Sequence, residues 1–174
     1  MRKVDLSKAY RLSYPSVPAV VASVYGGITS AMPVVSLVFL SNNPPLVGFS
    51  SSSSHATYRT VLKSRSFSVS WLDSGYRSAV ECLGTSSGRD VRDKLSACGL
   101  HHRSRGAPPV PSVKEAVASL DCDVEKVATF GDHELIVGRV RAAYAVHDFD
   151  EYWGFKDYSP IMYTGLGRRP IGRS

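Results

Sequence analysis

The chain has 174 residues, enough for one domain with a real core, and its 43% apolar and 21% charged content is ordinary for a soluble globular protein. A net charge of +6 and a pI near 9.3 favour an anionic ligand, either a phosphorylated small molecule or nucleic acid. The 21 Lys and Arg are scattered, however, and the one dense cluster, Arg168 to Arg173, lies in the tail, so a nucleic-acid face is not expected. No apolar stretch approaches the ~20 residues of a membrane helix. Pro15 and Pro18 interrupt the start before a signal-peptide core forms, so a cytoplasmic protein is expected. Cys82, Cys98 and Cys122 show no CxxC spacing. They read as three buried thiols in a reducing compartment, with neither a zinc site nor a disulfide framework.

In chain order, residues 1–14 are a lead-in. Val17–Tyr25 is β-rich and ends at Gly26-Gly27, which predicts a hairpin over 17–40. The apolar run Val34–Leu40 stops at Ser41-Asn42-Asn43-Pro44-Pro45, a turn that proline stiffens, and Leu46–Phe49 resumes as a short strand. Five serines, Ser50 to Ser54, then run into a helix whose Tyr58, Val61, Leu62 and Arg65 share a face, with Ser53 or Ser54 as N-cap. Ser66–Leu72 alternates Phe67, Val69 and Trp71 with serines, the pattern of a half-buried strand. Gly75–Leu83 and Arg89–Cys98 predict short helices, the second stopped by Gly99. His101–Pro111 carries Gly and three prolines and reads as loop. Ala118–Val124 and His133–Val146 predict strands, and Gly165–Ser174 a frayed basic tail. Strands dominate at barrel-like spacing, so the pattern gives a single-domain antiparallel β-barrel with two or three peripheral helices.

The segment 50–63 carries the clearest chemistry. A hydroxyl-rich loop entering a helix N-terminus offers backbone N–H groups, the positive end of the helix dipole and hydroxyl donors to an anion. Arg59 and Lys63 add cations. A flexible serine linker is the plain alternative, but close strand signals on both sides disfavour it. His101 and His102 are adjacent in an Arg-rich loop without near acidic or cysteine neighbours in sequence, a poor metal site. Tyr152, Trp153, Phe155, Tyr158 and Tyr163 crowd one region and predict packing over the barrel or at a subunit interface. Neither a nucleophile triad nor an acid–base pair stands out.

Ser30-Ala31-Met32-Pro33, Pro44-Pro45-Leu46-Val47, His55-Ala56-Thr57, Gly84 to Leu95 (with Ser87-Gly88-Arg89 and Asp93-Lys94-Leu95) and Gly131 to Val140 follow one another in the order of a known family. The chain resembles the flavin reductase-like family, the FMN-binding split barrels, over roughly residues 15 to 165. The resemblance implies an antiparallel split β-barrel of Greek-key type, a homodimer and bound FMN. It implies that Ser30, Ala31, Met32 and Pro33 approach the flavin ring, with Ser30 standing where the family has Asn. Ser50, Ser51, Ser52, Ser53, His55, Thr57, Tyr58 and Arg59 would hold ribityl and phosphate. Ser87, Arg89 and Lys94 form a basic element for FMN phosphate or a nicotinamide cofactor, and an exposed salt-bridged helix is its plain alternative. His133 falls in a turn placed near the flavin, although a structural histidine is the default. The implied activity is reduction of flavin by NADH or NADPH, with hydride delivered to N5 and no side-chain catalyst. A flavoredoxin-like electron carrier with a redox protein partner is the runner-up, and a basic nucleic-acid-binding barrel a distant third.

Overall fold

The computed structural model describes residues 1–88 and 91–165. Seven strands form one antiparallel sheet in the order β2-β1-β5-β8-β9-β4-β3. β1 (Ala19–Tyr25) and β2 (Ile28–Val34) form a hairpin closed by Gly26 and Gly27, both at positive φ, as a two-residue type I′ turn demands. β3 (Val38–Asn42) and β4 (Pro45–Ser51) form the next hairpin, and α1 (Ala56–Ser64) leads to β5 (Ser66–Leu72). β8 (Ala116–Phe130) and β9 (His133–Ala145) form a long ribbon between β5 and β4.

The two edge strands, β2 and β3, are joined by residues 35–37 alone. A flat sheet would put seven strands' edges about 29 Å apart, whereas four peptide steps span at most about 14 Å. The sheet must therefore curl on itself. Register shifts at Asp121/Cys122 and Val124/Lys126 in the ribbon increase its local twist and bend. The result is the antiparallel split barrel that the sequence implies, with few and short helices.

Its interior holds Val21, Val47, Phe49, Tyr58, Val61, Phe67, Val69, Leu120, Cys122 and Ile136. The Phe49 and Phe67 rings meet edge to face at 5.3 Å. Alternate β1 residues Val20 and Ala22 face a second core with Ala31, Leu83, Leu95, Leu100 and Val113. That core lies under α2 (Arg77–Thr85), α3 (Lys94–Ala97) and β7 (Val110–Val113).

Several expectations change. β7 pairs with β6 (His102–Arg105), so the expected loop 101–111 contains a hairpin; β6 reads His-Arg-Ser-Arg, without apolar alternation to reveal it. β7 also covers the serine face of β5, which is buried on both faces rather than half-buried, and Ser68 Oγ donates to Pro111 O at 2.6 Å. The helix expected over 89–98 spans only Lys94–Ala97, because Asp93 caps it by accepting from Ser96 N at 3.1 Å. His101 and His102 do have acidic neighbours in space, Glu115 at 2.7 Å and Asp93 at 2.9 Å. The cysteine reading is corrected too: Cys82 and Cys98 are disulfide-bonded and only Cys122 is free. α2 and α3 both pack on β2 and so bring these cysteines to a Cα separation of 5.6 Å, a proximity no local spacing encodes. The inference from three thiols to a reducing compartment loses its basis. No described helix is long and apolar enough to cross a membrane.

Gly138 in β9 marks the tightest point of the barrel. A Cβ there would run into the Phe67 ring, with Cε1 at 2.7 Å, and approach Cys122 Cβ at 3.1 Å. Gly138→Ala should overpack the interior and cost about 1–3 kcal/mol, read as a lower midpoint in chemical denaturation. An unchanged midpoint would show that this interior is loosely packed.

Candidate functional site

A pocket of about 410 Å³ lies where three chain segments converge. Met32 and Pro33 come from the end of β2; Ser54, His55, Ala56 and Thr57 come from the start of α1. Leu83 and Gly84 belong to the last turn of α2, Ser86, Ser87 and Gly88 follow its end, and Lys94 opens α3.

The serine loop reaches the helix differently from the expected capping. His55, not Ser53 or Ser54, occupies the N-cap position of α1, and its side chain makes no capping bond. Its Nδ1 lies 3.1 Å from Ser51 Oγ instead. His55 therefore gives the first turn of α1 no side-chain cap, and the first two helical residues, Ala56 and Thr57, line the pocket. This is the polarity an anion prefers.

Lys94 faces this helix end across the pocket. Its side chain is only 7% exposed, and its Nζ donates to Leu83 O, a carbonyl in the last turn of α2, at 2.8 Å. No carboxylate among the described residues lies within ion-pair distance of it. Burial pushes its pKa below the usual lysine value. Gly88 lets the chain pass close: a Cβ there would meet Lys94 Cδ at 3.3 Å and Ala56 Cβ at 3.6 Å. A buried cation, an uncapped helix start and several hydroxyls around one cavity are suited to a phosphate group.

The structure thus brings together Met32, Pro33, His55, Thr57, Ser87 and Lys94. Other candidate residues have different surroundings. Ser30 is buried, and its Oγ accepts from Thr60 Oγ1 at 3.0 Å; Ala31 packs in the second core. Ser50 N donates to Ser36 Oγ, and Ser52 Oγ lies 2.9 Å from Ser54 Oγ. Tyr58 belongs to the barrel interior. Arg59 turns back to the serine loop, donating to Ser53 O and to Ser54 O, the latter at 2.7 Å. His133 sits beside Asp132 at 2.9 Å, outside the pocket lining. Arg89 lies outside the described residues. Sequence reading passed over Ser54, Ala56, Leu83, Gly84, Ser86 and Gly88 as site residues; the family-like Gly84 to Leu95 segment was the available signal for the last three.

Lys94→Met tests whether the ammonium serves the fold. Because the folded state lowers the lysine's pKa, the unfolded chain holds the proton more tightly. Lys94 therefore detracts from stability at neutral pH, and stability recovers as pH rises from the lowered folded pKa towards the ordinary 10.5. The ligand-free Lys94→Met protein should be at least as stable as the parent at pH 7, with the difference shrinking at higher pH. A large loss of stability in urea titrations would make Lys94 a structural residue.

Comparison with known proteins agrees with this architecture. The family model described as "Flavin reductase like domain" matches residues 10–170. A flavin reductase of Pseudomonas putida is 33% identical over 131 residues, covering 74% of this chain and 72% of that protein. An uncharacterised protein of Aeropyrum pernix is 30% identical over 98% of this chain, which spans 65% of that longer protein. The crystal structure of an FMN-binding protein from Thermus thermophilus with bound p-hydroxybenzaldehyde superposes with a TM-score of 0.79 at 32% identity, covering 95% of this chain and 93% of that one. With a split barrel and a family match along nearly its whole length, the chain belongs to the flavin reductase-like family.

Proposed function

We propose that this protein binds FMN in the pocket beside Lys94 and catalyses NAD(P)H-dependent flavin reduction. The buried ammonium of Lys94, with no carboxylate partner among the described residues and in the same pocket as the uncapped start of α1, carries this reading. Family membership and the FMN-binding Thermus thermophilus protein support it. Lys94, the α1 N–H groups and the hydroxyls of Ser54, Thr57, Ser86 and Ser87 are the groups that would hold the phosphate. Met32 and Pro33 form the wall for the ring. FMN, when bound, supplies a ring system that takes up hydride and stores the electrons. The chain's own part is then to hold the reactants at a productive distance and keep water from the ring edge. Among the described residues no carboxylate lines the pocket.

FMN should bind at least about a hundredfold more tightly than riboflavin, since two charge-assisted bonds to phosphate contribute roughly 1.5–3 kcal/mol each. Fluorescence titration measures both constants, and equal affinities would remove the phosphate assignment. Lys94→Met should abolish most of the difference. Anaerobic addition of NADH or NADPH to the FMN-loaded protein should bleach the absorbance of the oxidised flavin. A flavin that stays oxidised with both would make the protein an electron carrier.

The proposal includes a homodimer. A second, apolar concavity of about 760 Å³ is walled by Trp71, Tyr144, Phe149, Trp153, Phe155 and Phe39 among others. Phe39 and Phe155 are more than half exposed there, apolar rings that a second copy of the chain would cover. Light scattering at micromolar concentration should give twice the chain mass, and a monomer that still binds FMN would refute this.

A further inference from the structure

The Cys82–Cys98 disulfide sits directly behind the anion-binding side of the pocket. Cys82 immediately precedes Leu83, whose carbonyl anchors Lys94, and Cys98 is the C-cap of the helix that Lys94 opens. Ser86, a pocket-lining residue, packs against the bridge, its Oγ 4.0 Å from Cys82 Sγ. Its N–H and Oγ both donate to Cys82 O, at 2.9 and 2.6 Å, and its Oγ is 3.7 Å from Cys98 Sγ. The bridge thus ties the end of α2 to α3 at the point where both present groups to the pocket. α3 is a single turn of four residues, too short to hold its place by helix formation alone. Its other anchors include Leu95, buried in the second core, Thr29 N donating to Arg92 O at 2.8 Å, and the Asp93–His102 contact. Cys82 is only partly buried, so a reductant can reach the bridge, whereas Cys122 is enclosed in the barrel with its thiol pushed up to about 12 by burial.

We propose that this disulfide is a redox clasp on the phosphate side of the pocket: closed, it fixes Ser86 and Lys94 for a phosphorylated ligand, and opened by a dithiol, it releases them and weakens binding. The proposal rests on the reading of the pocket as an FMN phosphate site. Opening is thiol–disulfide exchange. One thiolate of the dithiol attacks a bridge sulfur, its second thiolate resolves the mixed disulfide, and the reagent leaves as a cyclic disulfide. Two electrons and two protons pass to Cys82 and Cys98. The clasp acts on the phosphate contacts and not on the ring wall of Met32 and Pro33, which predicts a selective effect.

The test compares air-oxidised protein with protein reduced by dithiothreitol and desalted anaerobically, titrating each with FMN and with riboflavin. Reduction should weaken FMN binding about tenfold while riboflavin affinity stays within about twofold, and reoxidation should restore FMN binding. The Cys82→Ser/Cys98→Ser double variant should match the reduced protein and ignore dithiothreitol. Should that variant fold poorly, the reversible cycle on the parent chain still decides. Equal FMN affinity in both redox states would overturn the clasp alone. Parallel weakening of both ligands would make the bridge a general staple and overturn it as well. Three reactive thiols in the denatured, air-oxidised protein would show that no bridge forms. If the oxidised protein binds neither FMN nor riboflavin, the pocket reading itself fails and the clasp falls with it.

Discussion

The short link between the edge strands is the constraint on which the molecule depends. Three residues, 35–37, join the two ends of a seven-strand order. Closure forces β2 and β4 towards one another, although they are far apart in the hydrogen-bonded series. The pocket exists because of that approach. β2 delivers Met32 and Pro33, β4 runs out into the serine loop, and α1 begins between them. The β8–β9 ribbon supplies the curvature through its two register shifts, and Gly138 supplies the clearance for Phe67 at the barrel's tightest point. Barrel interior and pocket are thus one geometric solution, and substitutions inside the barrel should reach the ligand through β2 and β4.

Much of this was legible because the strands carry strong local signals. Gly26-Gly27 fixes a two-residue turn and hence the register of β1 against β2, and Asn43-Pro44 separates β3 from β4. The serine loop singled out the start of α1, and residues 54–57 do line the pocket. What was not legible depends on contacts across the fold. β6 has no apolar alternation and becomes a strand only because β7, anchored by Val110 and Val113, offers it a partner. The serines of β5 look like a solvent face until β7 covers them. Cys82 and Cys98 are 16 residues apart, and only the packing of α2 and α3 on β2 makes them neighbours.

The same distinction runs through the site. Residue types that suit phosphate were visible along 50–59, but the direction of each side chain was not. Arg59 looked like a ligand cation from its position one turn into α1. Its guanidinium instead binds the carbonyls of Ser53 and Ser54, so its charge braces the loop. Lys94 was read as a cation for a phosphate or nicotinamide cofactor, with a solvated, salt-bridged helix as the alternative; it is buried in the pocket wall with its ammonium on Leu83 O. Length of chain and helical phase place a residue near a site; burial and partner atoms decide what it does there.

Ser30 shows how the two walls of the pocket are kept in step. Its hydroxyl is buried and accepts a hydrogen bond from Thr60, one turn into α1 beyond His55 and Thr57. Thr60 Oγ1 also lies 3.1 Å from Ala56 O, within the first turn that faces the cavity. β2, which carries the Met32-Pro33 wall, is therefore pinned to the helix whose N-terminus faces the anion position. A small hydroxyl residue at position 30 fits this link without reaching into the pocket. The family's larger side chain at that position would have to find room in a site already closed by Thr60. In this chain, then, position 30 ties the β2 side of the pocket to α1 and holds the two at a fixed separation.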